Sequence, residues 1–219
     1  MYDAQNETSD AIEVILEQQN KNKYTITLKP SKEWLEAEER EYPVTIDPVV
    51  TSSLNRSDIQ DTYIFGGDET STTKYNSHIL RIGSNNRTGT HKNPTRTLIK
   101  FNIPELQPGD QVIKAVFNLC SYPETNEWTP SASPIQIDAH KITANWDQTT
   151  ANWNNMNGNY DAKVEDYITY QYSNSEPCKF YDLDITAIAK DWYTTGNNYG
   201  IMLKDHSEVY NAQQSDAYF

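Results

Sequence analysis

Basic side chains are scarce in this chain of 219 residues: 18 Lys and Arg stand against 31 Asp and Glu, a formal charge of −13. Nothing supplies the cationic excess that phosphate backbones or anionic lipid headgroups require, so neither nucleic acid nor a membrane surface is an expected partner. Long apolar runs are missing as well. No stretch approaches the ~18 residues of a membrane span, and no charged-then-apolar signal peptide opens at Met1. Cysteine is rare: Cys120 and Cys178 are too few for a disulfide scaffold, and their separation fits neither a Cys-x-x-Cys redox motif nor a zinc site. Each lies in a strand-like run, which favours two buried thiols over one bridge. Nucleophile-elbow, zinc-helix, P-loop and Rossmann patterns are all lacking, and His78, His91, His140 and His206 are scattered singly. Nucleophilic and zinc catalysis therefore lack support. A glycosidase needs only two carboxylates about 5–10 Å apart, which an acidic chain neither selects nor excludes.

What is abundant is aromatic. Fifteen Tyr, five Trp and five Phe rule out a disordered composition, and the Tyr excess suits half-buried sheets, since each ring carries a hydroxyl that prefers to stay wet or bonded. Most apolar residues alternate with period 2. Tyr24, Ile26 and Leu28 oppose Thr25 and Thr27; Ile99, Phe101 and Ile103 oppose Lys100 and Asn102; Ile113, Ala115, Phe117 and Leu119 oppose Lys114 and Asn118; Ile135, Ile137 and Ala139 oppose Gln136, Asp138 and His140. Further strands are predicted over 12–16, 44–50, 60–65, 79–82, 164–172, 179–183 and 200–203. Helical spacing appears in Ile185, Ile188, Ala189 and Trp192, with Asp184 as N-cap and Gly196 as stop. A further helical turn is possible over 31–39, capped by Ser31. About ten short strands with one helix predict an all-β fold, an antiparallel β-sandwich of jelly-roll kind with one short helix near the C-terminus. An acidic, strand-poor stretch over 36–42 divides residues 1–41, the strand-rich tail of a preceding region, from a sandwich domain over 42–219.

Candidate ligand residues are few. Trp128 lies in a loop without apolar periodicity to bury it and, with Tyr122 in the same loop, is a candidate sugar contact. Trp146 and Trp153 flank a polar loop, where they either present stacking faces to a sugar or, more commonly, cap the end of a sandwich core. Asp58 and Asp61 at the start of a strand, with Asp68 and Glu69 beyond its end, form an oxygen-rich set without EF-hand spacing. Surface solvation is the commoner fate of such a set; the metal expectation is a structural calcium ion on Asp61, assisted by Asp58. Sequons at Asn6, Asn55 and Asn86 carry little information.

Tyr42-Pro43-Val44-Thr45-Ile46-Asp47-Pro48, Asp61-Thr62-Tyr63-Ile64, Leu80-Arg81-Ile82-Gly83 and Arg96-Thr97-Leu98-Ile99-Lys100-Phe101 occur in that order. They are followed by Ile103-Pro104, Trp153-Asn154-Asn155, Asp184-Ile185-Thr186 and Asn198-Tyr199-Gly200-Ile201. Together they resemble the DNRLRE domain family over roughly 42–205, a family similar to disaggregatase-related carbohydrate-binding modules of secreted bacterial wall-associated or YD-repeat (Rhs-like) proteins. The resemblance implies a β-sandwich displayed at the bacterial cell surface, without catalysis. A polysaccharide or cell-wall glycan is the expected ligand, and neighbouring domains of a longer polypeptide are the expected partners. The alternatives are a spacer that presents a neighbouring domain and, more remotely, a glycoside hydrolase or lyase. Such domains usually end on a further apolar strand that the segment Asp216-Ala217-Tyr218-Phe219 does not resemble, so a sheet edge is expected to need cover. Residues 207–219, a second copy of the chain and the N-terminal strands are the candidates, with the N-terminal strands preferred for their effective concentration.

Overall fold

The computed structural model describes residues 1–5, 7–20, 23–46, 58–67, 70–74, 77, 79–85, 93–106, 110–121, 134–171, 178–208 and 215–219. The chain forms two compact units, Met1–Ser53 and Leu54–Phe219.

In the first unit, alternation along 12–30 produces the hairpin of β1 (Ile12–Asn20) and β2 (Lys23–Pro30), paired antiparallel with Leu16 opposite Ile26. The helical turn expected after Ser31 is α1 (Lys32–Leu35), whose Trp34 amide donates to Ser31 Oγ at 3.3 Å. A buried ion pair ties the unit together. Asp3 accepts from the amides of Gln5 and Glu7 and from Arg40 Nη1 at 2.8 Å, while the Arg40 guanidinium lies 3.8 Å from the Trp34 ring centre.

The second unit is an antiparallel β-sandwich. Its strands are β3 (Ile59–Phe65), β4 (Arg81–Asn85), β5 (Asn93–Phe101), β6 (Val116–Cys120), β7 (Ile135–Lys141), β8 (Asp166–Tyr170), β9 (Phe180–Asp184), β10 (Ile201–Asp205) and β11 (Ser215–Tyr218). The large sheet runs β11-β4-β5-β10-β7-β8, with β3 also paired to β5, and β6-β9 forms a second, smaller sheet. Alternation sends Ile99, Ile137, Ala139, Ile201 and Leu203 from the inner face of the large sheet against Leu119 and Leu183 of the small one. Helix α3 (Thr186–Thr195) closes this core with Ile188, Ala189 and Trp192, as its spacing predicts, and Gly196 ends it in the left-handed conformation. The cap differs by one residue: Ile185 occupies the N-cap, and Asp184 Oδ1 accepts from the Thr186 amide at 2.9 Å. The outer face holds a second core of Ile64, Leu98 and Met202 covered by Ile142, Trp146, Ala151 and Met156, the last on α2 (Trp153–Met156). Besides α3, then, two four-residue helices are present among the described residues; α2 has no apolar periodicity and is held by a reciprocal Asn152–Asn155 capping box.

Three expectations are corrected. Cys120 and Cys178 are not free thiols but a disulfide with Cα atoms 5.3 Å apart. The β6–β9 register sets Cys120 opposite Phe180, two residues from Cys178 on the same face, a juxtaposition that depends on non-local pairing. The strand predicted over 113–119 begins only at Val116, leaving Ile113 79% exposed. Finally, β4 is flanked by β11, not by the N-terminal strands, which pair with each other. Ala217 and Tyr218 of β11 are fully buried, and Leu80 and Phe219 exchange backbone hydrogen bonds at 2.8 and 3.1 Å.

Candidate binding site

Antiparallel pairing sets residues into cross-strand rows, so the outer face of the large sheet can be read from the register. On it, β3 and β5 bring Gln60 opposite Lys100. Just beyond, the Asn102 amide donates to the Asp58 carbonyl at 3.0 Å and Asn102 Nδ2 to Asp58 Oδ1 at 3.4 Å. Asn198 approaches from the turn before β10. Its Nδ2 donates to the Phe101 carbonyl at 2.7 Å and its Oδ1 accepts from the Gly200 amide at 3.1 Å, which fixes its orientation. The turn depends on Gly200, at φ 86°, because a Cβ there would lie 2.1 Å from the Ile99 carbonyl oxygen.

These five side chains line an open cleft of about 450 Å³. Lys100 Nζ reaches its wall, donating to the Trp146 carbonyl at 3.0 Å and to Asn145 Oδ1 at 3.4 Å. Burial draws the Lys100 amine below the ordinary lysine range, with the Asp147 charge opposing. Asp147 is itself held below the usual carboxylate range by the Thr149 hydroxyl and amide. Gln60 Oε1 is buried and has no hydrogen-bond donor among the described residues. A buried acceptor without a donor costs about 1–3 kcal/mol.

The residues singled out from sequence are not brought together. Trp128 and Tyr122 lie outside the described residues. Trp146 is 6% exposed, with its indole N–H donating to the Tyr199 carbonyl at 2.7 Å, so it packs the outer core and offers no open face. Trp153 opens α2 half-buried, with the Arg96 guanidinium 4.5 Å from its ring centre. Asp58 lines the cleft, whereas the register turns Asp61 to the opposite face, opposite Ile99. Among the described residues no group of three or more His, Cys, Asp and Glu is placed to hold a metal ion. Gln60, Lys100, Asn102 and Asn198 were missed, because a polar residue in an alternating strand reads as a solvated position until its cross-strand neighbours are known.

Chemically the cleft offers amide and carboxylate oxygens as acceptors and amide and ammonium groups as donors, a set matched to hydroxyls that both give and accept. A sandwich with a shallow amide-lined cleft has the build of a binding module. Residues 52–217 match the model of carbohydrate-binding module family 96, and the chain belongs to that family.

The chain is also 26% identical over 205 residues to the tRNA nuclease WapA of Bacillus subtilis (strain 168), and equally to the tRNA3(Ser)-specific nuclease WapA of Bacillus spizizenii. Each match covers 90% of this chain but only 8% of the relative's length. It therefore extends ahead of the family match into the first unit. Among the described residues no helix is long and apolar enough to cross a membrane.

Proposed function

We propose that the second unit is a non-catalytic module that binds a polysaccharide or cell-wall glycan in the Asp58–Gln60–Asn102–Asn198 cleft. It would work outside a bacterial cell as part of a much longer surface protein of the DNRLRE, YD-repeat kind. The observation that carries the reading is the polar cleft lined by Asp58, Gln60, Lys100, Asn102 and Asn198 in a chain of a carbohydrate-binding family. The disulfide supports an oxidising, extracellular setting. A glycan array followed by calorimetry tests the proposal: Gln60→Ala and Asn102→Ala should each weaken binding about tenfold with little change in melting temperature. Trp128→Ala tests the exposed-loop alternative in the same assay, and the absence of binding to any glycan would remove the sugar reading.

The second reading, a spacer that presents a neighbouring domain, is favoured by the small share of its relatives that the chain spans. A hydrolase or lyase would reveal itself by release of reducing ends. A structural calcium ion on Asp61, assisted by Asp58, is a separate proposal, although the register turns Asp61 to the other face from Gln60. Bound calcium should raise the melting temperature, and identical melts in calcium and in chelator would end the idea.

A further inference from the structure

Beyond β10 from the cleft, the same outer face carries a second surface of different make. The register sets Lys204 opposite Asp138 and Asp138 opposite Tyr167, and beside that row Gln136 opposite Thr169. His206 joins the second row through its amide, which donates to the Gln136 carbonyl at 2.9 Å. Tyr167 is 55% exposed. Phe180, the other strongly exposed ring on a strand of this unit among the described residues, stands opposite the bridged Cys120, with the hydrogen-bonded Asn118–Asp182 pair next along the same face.

Asp138 organises the surface. Its side chain is 3% exposed, and both oxygens are engaged, Oδ1 by Gln136 Nε2 at 2.8 Å and Oδ2 by His206 Nδ1 at 2.7 Å. Because the carboxylate engages His206 Nδ1, it leaves Nε2 turned outward as the ring's other hydrogen-bonding atom, and it turns Gln136 Oε1 away from itself. Neither Gln136 Oε1 nor His206 Nε2 has a protein partner among the described residues. Neighbouring charges are paired: Lys204 Nζ is 3.8 Å from Glu208 Oε2 and donates to the Asp205 carbonyl, and Lys163 pairs with Glu165 at 3.0 Å.

An exposed ring beside fixed polar atoms and the Thr169 hydroxyl, on a surface with compensated charge, matches a pyranose, which has one apolar C–H face and a rim of hydroxyls. We propose that Tyr167, Gln136, Thr169 and His206 form a second glycan contact that takes a neutral hexose unit, with the sugar face on Tyr167 and its hydroxyls on Gln136 Oε1 and His206 Nε2. The proposal rests on the carbohydrate-binding reading above. It adds that a polysaccharide is held at two places on one sheet.

The full chain is titrated with cellohexaose, xylohexaose and mannohexaose, and with hexagalacturonate as the acidic comparison. Backbone amide NMR shifts are followed at both surfaces, and calorimetry is run on Tyr167→Ala, Tyr167→Phe and Gln60→Ala. At least one neutral hexaose should shift Tyr167, Gln136 and Thr169. Tyr167→Ala should weaken binding of that sugar about fivefold to tenfold without lowering the melting temperature, while Tyr167→Phe retains it. Sugar binding that depends on Gln60 and leaves Tyr167 unshifted would overturn the second contact and keep the first. Shifts at Tyr167 with hexagalacturonate alone would overturn the neutral-sugar assignment. No binding or shift with any of the four would remove both contacts.

Discussion

His140 and Asp3 show how burial and bonding set a single side chain's response to acid. His140 Nδ1 lies 2.9 and 3.0 Å from the Asp161 and Lys163 carbonyls, which only an N–H can satisfy, while Nε2 is buried without a partner among the described residues. Burial is the largest cause drawing its pKa below the ordinary 6.5, aided by Lys204 and opposed by the two carbonyls and Asp138. The folded state therefore holds the ring neutral. Its stabilising contribution is complete above pH 6.5 and is lost as pH falls through the lowered folded value. Melting temperature should decline below pH 6.5, and His140→Phe should flatten that part of the profile. For Asp3, burial alone would raise the carboxyl, but the amides of Glu7, Glu41 and Gln5 and the Arg40 guanidinium outweigh it and hold the pKa below 3.8. The first unit should thus keep this contribution above pH 3.8 and lose it as pH drops through the lowered value. Asp3→Ala should loosen the unit at neutral pH by stranding Arg40, a change that fluorescence of Trp34 would report. Neither site was legible in sequence, since His140 read as the polar partner of Ala139 in an alternating strand and Asp3 as one acid among many.

At the scale of elements, legibility followed how local the cause is. The alternation of β7 and the spacing of α3 are properties of consecutive residues, and these elements lie where the pattern put them, whereas β5 spans 93–101 rather than the 99–103 that its alternation marked. β11 depends on a partner distant in sequence, β4, and α2 on a local Asn152–Asn155 capping box and its place over the outer core, so no periodic signal marks either. The cleft is of the second kind, assembled from β3, β5 and the turn before β10. That turn is testable. Gly200→Ala would force a methyl onto the Ile99 carbonyl at a positive φ, so we expect a loss of about 3 kcal/mol or more in denaturant melts. Lost sugar affinity should accompany it, through Asn198.

For the whole molecule, the fold class was readable because a sandwich needs one apolar face per strand, and alternation records that directly. Strand order was not, since several short strands of similar polarity fit more than one arrangement. The N-terminal hairpin illustrates the ambiguity: its alternation is equally consistent with joining a larger sheet and with the two-stranded sheet it forms.

The Cys120–Cys178 bridge has a mechanical consequence. It closes a loop of 58 residues of sequence separation around β7, β8 and α2. A tether that pulls on the two ends cannot extend that loop while the sulfurs remain joined. In single-molecule stretching, the oxidised chain should release less contour than the reduced one by roughly 200 Å, the span of that many extended residues. Equal contour lengths with and without reductant would mean that the bridge does not form. When it holds, β7 and β8, and with them the Tyr167 surface, are enclosed by a covalent ring, so a bound glycan strand under tension would pull on a part of the protein that cannot be drawn out.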